Sequence, residues 1–248
     1  MRRFWLPASE FTPELITISD DVFHHIFSVC RQSVGSKFEL VNSDSHKAYL
    51  VQVQEVAKKH ALAKVLQTRD LPLPKKPWIY LNVCIPKFAT LETIIEKSVE
   101  LGVHTLRPLF SDYSFVSTAD KVSDSKINRW NKIVQAATQQ SGRGDLMQVT
   151  APQKLDLLLQ QKISPSDLHL FLYEGDAAST LRQQLSLVDK KSFSTVQLYI
   201  GSEGGFSRTE VQMFEKLKIP SLTVGEQILR VETACVSLCS ILKYEFEV

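Results

Sequence analysis

The chain is short of nearly everything that marks a membrane, secreted or metal-binding protein. No apolar run approaches the roughly 20 residues needed to span a bilayer. The opening Met1-Arg2-Arg3-Phe4-Trp5-Leu6-Pro7 has no apolar core of an export signal, so a cytoplasmic protein is expected. The four cysteines, Cys30, Cys84, Cys235 and Cys239, show no CxxC spacing, which argues against a zinc ribbon or redox pair and for reduced, buried thiols. Six histidines are scattered, and the adjacent His24 and His25 would point apart on a helix, so no metal is expected. An excess of one charge is also missing: 29 Lys and Arg against 27 Asp and Glu leave a net +2, which argues against a tail-driven grip on nucleic acid. Residues 1–77 are slightly basic, with 11 Lys and Arg against 8 Asp and Glu, enough for an amino-terminal module to contact phosphates. Glycine is scarce at nine, yet Gly201, Gly204 and Gly205 fall within one five-residue stretch.

Hydrophobic residues make up 44% of the chain, ample for a folded core in one large domain or two modest ones. The segment 70–77 carries Pro72, Pro74 and Pro77, which forbid a helix and spoil a central strand. A boundary there gives an amino-terminal domain of residues 1–72 and a carboxy-terminal domain of 73–248. In the first, residues 47–56 place Tyr49, Val51 and Val53 on one strand face, and residues 61–66 form a partner strand after a Lys58-Lys59 turn. A small antiparallel β-barrel is expected, with one capped helix over 19–30. In the second, near-continuous apolar strands at 79–85, 103–106, 168–173, 196–200 and 221–224 alternate with helices near 91–101, 125–140, 154–161, 177–187 and 209–217. That pattern predicts a parallel sheet covered on both faces. The last helix, about 232–245, reads as apolar nearly all round and is expected to bury more than one side, against another subunit or within its own domain.

Chemistry concentrates in two loops. Leu198-Tyr199-Ile200-Gly201-Ser202-Glu203-Gly204-Gly205-Phe206-Ser207 reads as strand, glycine turn and helix start, with glycines that permit positive φ and leave the backbone open to a flat ligand. Ser207 and Glu210 have capping-box spacing, which fixes where the next helix begins. The loop is neither GxxxxGK[ST] nor GxGxxG, so it lacks a phosphate-cradling lysine and gives little support to hydride transfer. The second loop, Val224-Gly225-Glu226-Gln227-Ile228-Leu229-Arg230-Val231-Glu232-Thr233-Ala234, follows another strand. Ligands in open parallel sheets lie beyond the carboxyl ends of the strands, so the two loops form either one binding recess or two structural turns. Arg230 and Glu232 form either a salt bridge closing a helix end or a ligand-binding pair.

These residues resemble a known family. Residues 201–207 look like its IGPEGGFS loop and 228–234 like its ILRTETA loop; 96–103 resemble QKATELGV, and Gln139-Gln140-Ser141-Gly142-Arg143 resembles EQSGR. The chain is similar, over nearly its whole length, to the RsmE-type 16S ribosomal RNA uridine-N3 methyltransferases of the SPOUT class. Departures are Ser202 in place of a proline, Asn42-Ser43-Asp44 in place of a Phe-Asp-Gly turn, and Ser111-Asp112-Tyr113-Ser114 in place of an acidic-Arg-Ser pattern. They bear on RNA contacts and efficiency more than on cofactor binding, and Ser202 is expected to loosen its loop.

The resemblance implies a PUA-like β-barrel for RNA binding, followed by a SPOUT methyltransferase domain with a carboxy-terminal trefoil knot. It implies S-adenosylmethionine as cofactor, 16S rRNA of the small ribosomal subunit as partner, and a homodimer. Carried over, the cofactor pocket comprises Leu172, Glu174, Gly201, Ser202, Glu203, Gly204, Gly205, Val224, Gly225, Ile228, Leu229, Arg230, Thr233 and Ala234. In the expected mechanism Arg230 stabilises charge on the uracil oxygens and Glu232 or Glu203 takes the N3 proton. Arg2, Arg3, Arg31 and Arg143 are expected to grip phosphates. Two alternatives stay open: a noncatalytic RNA-binding assembly factor, and a methyltransferase of the same class acting on a ribose 2′-hydroxyl.

Overall fold

The computed structural model describes residues 3–12, 14–42, 46–72 and 74–248. These divide into two compact units, Met1–Leu73 with Thr138–Leu146, and Pro74–Ala137 with Met147–Val248. Asn42-Ser43-Asp44, where the chain departs from the family turn, falls largely outside the described residues.

In the first unit, β1 (Arg3–Leu6), β2 (Leu15–Ser19), β3 (Lys37–Asn42), β4 (Lys47–Val56) and β5 (His60–Asp70) form a sheet in the order β1-β3-β4-β5-β2. Neighbours are antiparallel except β1 and β3. Both faces of the sheet are used, because alternate residues of a strand point to opposite sides. Phe4, Leu6, Ile18, Phe38, Val51 and Val53 share one core, with Tyr49 packed on it. Trp5, Val41, Ala48 and Leu71 form a second core, against which Leu146 packs. The helix expected over 19–30 is instead a single α-turn, α1 (Asp20–Phe23), running into a π-helical stretch, His24–Val29. Ser19 does not cap it, since its hydroxyl donates to Glu10 and Asp20 instead.

In the second unit every strand pairing is parallel. The strands are β6 (Trp78–Cys84), β7 (Thr105–Phe110), β8 (Gln148–Val149), β9 (Gln153–Lys154), β10 (Asp167–Leu172), β11 (Ser179–Thr180), β12 (Thr195–Ile200) and β13 (Ser221–Thr223). Their order is β11-β13-β10-β12-β6-β7-β8, with β9 also on β7. The helices are α2 (Phe88–Glu100), α3 (Asp124–Ser141), α4 (Leu155–Leu159), α5 (Leu181–Leu187), α6 (Arg208–Lys216) and α7 (Val231–Phe246). α2 packs on α7, which also meets β6 and β12. On the other side Leu155, Leu158 and Leu159 of α4 and Phe214 of α6 bury against Phe171 and Tyr199 of the sheet. The ring of Phe214 stacks on Phe171 at 3.9 Å.

Three expectations change here. β7 starts two residues later than expected and runs to Phe110. α5 begins at Leu181, not near 177, because Thr180 and Gln183 close a capping box that fixes the start there. α7 buries one stripe, Val231, Cys235, Leu238, Cys239, Leu242 and Phe246, and leaves Ile241 and Tyr244 in solvent. Its apolar composition therefore does not translate into burial on two sides of this chain.

One polar feature interrupts the parallel sheet. Gln197 of β12 accepts hydrogen bonds at Oε1 from Asn82 Nδ2 of β6 (3.1 Å) and from Arg107 Nη1 of β7 (3.0 Å). The Arg107 guanidinium also lies over the Tyr80 ring, 4.5 Å from its centroid. Asn82 and Gln197 are buried, so each depends on the others for its hydrogen bonds.

Candidate active site

The carboxyl ends of β10, β12 and β13 and the start of α7 enclose a cavity of about 520 Å³, within the range of small-molecule sites. β10 contributes Leu172 and, just beyond it, Tyr173 and Glu174. β12 leads into Ile200, Gly201, Ser202, Glu203 and Gly205. The turn after β13 supplies Val224, Gly225, Ile228, Leu229 and Arg230, and α7 adds Glu232 and Ala234. The two loops singled out in the sequence therefore line one recess.

Gly204 and Thr233 lie outside the lining. The lining also holds residues outside the expected set, among them the polar Lys87, Thr90, Glu226 and Gln227. Glu226 and Gln227 were readable as members of the second loop. Lys87 and Thr90, more than 80 positions upstream of either loop, carry no local signal.

The glycine loop is shaped by close approach more than by left-handed backbone. Of its three glycines only Gly205 has a positive φ, +70°. A Cβ on Gly201 would sit 2.9 Å from the Gly205 Cα, and one on Gly205 would collide with the Glu174 carboxylate. The turn folds on itself through Gly205 N–H donating to Ser202 O at 2.9 Å. Ser202 tightens the loop where it was expected to loosen it: it is buried, and its hydroxyl donates to the Tyr113 carbonyl at 2.6 Å.

Downstream, the Ser207 hydroxyl accepts from Glu210 N–H at 3.2 Å and Glu210 Oε2 accepts from Ser207 N–H at 2.8 Å, which completes the capping box. The other oxygen of this buried carboxylate accepts from Asp112 N–H at 2.9 Å, and the Ser207 hydroxyl donates to the Asp112 carboxylate. Two segments in which the chain departs from the family pattern, Ser202 and 111–114, are thus fastened to each other.

Charge in the recess is unbalanced. Glu174, Glu203, Glu226 and Glu232 face only Lys87 and Arg230, a surroundings that favours a ligand carrying positive charge. Glu203 Oε1 accepts from the Lys87 N–H at 3.1 Å, which ties the glycine loop to the start of α2. Among the described residues no ion pair joins Arg230 to Glu232, and Arg230, the N-cap of α7, makes no side-chain cap. The guanidinium is exposed and stands where β13's turn meets the helix.

The arginines expected at phosphates are placed differently. Arg3 is paired with Glu39 at 2.9 Å, with 11% of its side chain exposed, and also donates to the Gly142 and Arg143 carbonyls. Arg143 is paired with Asp145 at 2.8 Å and is 9% exposed. Both are committed inside the first unit. Arg31 is exposed, and Arg2 lies outside the described residues.

Comparison with known proteins places this geometry. The family model described as an RNA methyltransferase domain matches residues 74–243, and that of an RNA methyltransferase PUA domain matches 18–66. Ribosomal RNA small subunit methyltransferase E of Bacillus subtilis is 28% identical, over 100% of this chain and 98% of its own length. The protein of the same name from Aquifex aeolicus is 30% identical, over 92% and 93%. Among solved structures, a Legionella pneumophila protein in complex with SAM superposes with a TM-score of 0.85 at 26% identity, covering 98% of this chain and 96% of its own. Ribosomal RNA small subunit methyltransferase E of Neisseria gonorrhoeae shares the fold, with a TM-score of 0.83 at 24% identity over 98% and 97%.

Proposed function

We infer that this chain, which belongs to the RNA methyltransferase family that includes ribosomal RNA small subunit methyltransferase E, transfers a methyl group from S-adenosylmethionine to N3 of a uridine in 16S rRNA. The observation that carries the reading is the single recess built by both strand-end loops, with a glycine cradle and an excess of carboxylates. When bound, S-adenosylmethionine supplies an electrophilic methyl group on a sulfonium, a cationic centre that suits those carboxylates. The pinch of Gly201 on Gly205 leaves backbone where a side chain would block a flat ligand. Gly201, Ser202, Gly205, Leu172, Val224, Gly225, Ile228, Leu229 and Ala234 would hold the cofactor, with Glu174 beside Gly205.

The chain's remaining tasks are alignment and removal of a proton. Holding reactants in near-attack geometry accounts for roughly 7 to 11 kcal/mol of a barrier. N3 of a paired uracil is inaccessible, so the base must be unpaired or turned out of its stack. Arg230, exposed at the mouth and free of Glu232, is suited to stabilise negative charge growing on the uracil oxygens. One oxygen of Glu203 is engaged by the Lys87 amide, and Glu232, two residues from Arg230 in the recess lining, is the carboxylate assigned here to accept the N3 proton. For RNA docking the first unit offers Arg31 and the basic character of residues 1–77, while Arg3 and Arg143 support that surface from within. A homodimer, a cytoplasmic location and the knotted threading of the last segments belong to the same reading. Among the described residues no helix is long and apolar enough to cross a membrane.

The test is to mix the protein with methyl-labelled S-adenosylmethionine and small ribosomal subunits lacking the modification, then digest the RNA to nucleosides. Label in 3-methyluridine is expected. Label in a 2′-O-methylated nucleoside, or donor bound without transfer, would replace this reading with one of its two alternatives.

A further inference from the structure

Beside the recess stands an aromatic side chain whose position the fold alone does not explain. Tyr113 is 54% exposed, so its ring forfeits much of the free energy that burying it would contribute. Its backbone is nonetheless fixed from several directions. The Tyr113 carbonyl accepts from the buried Ser202 hydroxyl at 2.6 Å. The preceding Asp112 is held through its amide by Glu210 at 2.9 Å and through its carboxylate by Ser207. The turn is closed by Ser111 N–H donating to Ser114 Oγ at 2.9 Å and Ser114 N–H donating to Ser111 O at 3.2 Å.

The residue is also seated on the glycine loop itself. A Cβ on Gly204 would stand 2.8 Å from the Tyr113 Cβ, so glycine is needed there to admit the tyrosine. The residues on either side of that seat, Glu203 and Gly205, both line the recess. A second exposed ring, Phe115 at 54%, packs edge-on against Phe88 at 5.6 Å. Phe88 immediately follows Lys87, another residue of the recess.

We propose that Tyr113 is a stacking platform for a nucleobase of the substrate RNA beside the glycine loop. The proposal rests on the reading of the site as an RNA methyltransferase centre. An unpaired base has lost its stacking partners and offers a π-face of the same kind whatever its identity; an aromatic side chain on a backbone fixed in advance replaces that partner at a reduced ordering cost. Ser202, Ser207 and Glu210 hold the backbone on which that ring sits. Because stacking needs no charge, this contact should be insensitive to salt, unlike contacts to phosphate.

The experiment compares Tyr113→Phe, Tyr113→Leu and Tyr113→Ala in the full chain, with small ribosomal subunits as substrate and saturating S-adenosylmethionine. Tyr113→Phe should stay within about twofold of the wild type in KM for RNA. Tyr113→Leu and Tyr113→Ala should raise that KM about 10- to 100-fold, with the calorimetric Kd for S-adenosylmethionine unchanged. An unaltered KM in Tyr113→Ala, a Leu variant equal to Phe, or a parallel loss of donor affinity would each overturn the proposal. A wild-type protein that transfers no methyl group sinks the parent reading instead. The same three variants, read by fluorescence anisotropy on labelled single-stranded RNA, then decide the stacking on their own.

Discussion

Under the proposed mechanism, Arg230 is the side chain on which the chemistry turns most sharply. Replacing it with alanine should cut turnover about 100-fold or more at saturating donor, the usual cost of removing one preorganised stabiliser of developing charge. Single-turnover kinetics check this, and unchanged turnover would remove Arg230 from the mechanism. The cysteines give a second residue-scale expectation. Burial pushes the Cys84 and Cys239 thiols up to about 12 and raises Cys235 well above its ordinary value. These three therefore hold no reactive thiolate near neutrality. Cys30 is only partly buried. Alkylation of the native protein at neutral pH should label Cys30 alone, and peptide mapping that finds label on the other three before unfolding would contradict the buried assignment. The burial expected of all four thiols holds for Cys84, Cys235 and Cys239 and fails for Cys30, which is only partly buried. The sequence did not foretell that Arg3 and Arg143 are engaged internally, because Arg3 meets Gly142 across 139 positions and only tertiary folding brings them together.

At the scale of the element, the start of α6 fastens the end of the glycine loop to residues 111–114. Glu210→Ala removes the capping box and the acceptor for the Asp112 amide together, and should destabilise the protein by about 1 to 3 kcal/mol. Urea unfolding measures that loss, and a midpoint equal to the wild type would show that the glycine loop is held by other means. This helix start was legible because Ser207 and Glu210 are three positions apart in the chain. The capping box at Thr180 and Gln183 is equally local, whereas the composition of 177–187 alone suggests a helix four residues longer. The apolar stretch read as a helix over about 232–245 is one, from Val231 to Phe246. Composition could not tell which of its residues face the sheet, since Ile241 and Leu242 look alike in a sequence and only one is buried. The fastening of Ser202 to residues 111–114 was beyond reach for another reason: it joins segments whose spacing is set by intervening strands and helices.

For the molecule as a whole, acid should be destabilising in both units. Burial pushes the Glu39 carboxyl up, but hydrogen bonds from Arg69 and Arg3 and their positive charge outweigh it, so its pKa lies below the ordinary 4.5. A depressed carboxylate contributes its stability above the unfolded value and loses it as pH falls through the folded one. His169 acts in the same direction: burial lowers its pKa from the ordinary 6.5, against an opposing pull from Asp167. The unfolded chain therefore binds its proton first as pH drops, and stability declines from near that value downward. Thermal melts between neutral pH and pH 4 should show a falling Tm, with the difference between wild type and Glu39→Gln shrinking at the acid end. A difference that grows on acidification would reverse the assigned sign.

The trio of Asn82, Gln197 and Arg107 bears on how the central strands find one another. Interior parallel strands made only of aliphatic residues can slide along each other by two positions and still present the same faces. A slip of β12 against β6 would leave the buried Asn82 and Gln197 amides without each other and take Gln197 away from Arg107, at a cost of roughly 1 to 3 kcal/mol for each buried polar group left unpaired. Three polar side chains thus act as an alignment key. They make one pairing of β6, β7 and β12 the only inexpensive one, and with it they fix where the ends of those strands, and the loops beyond them, come to rest.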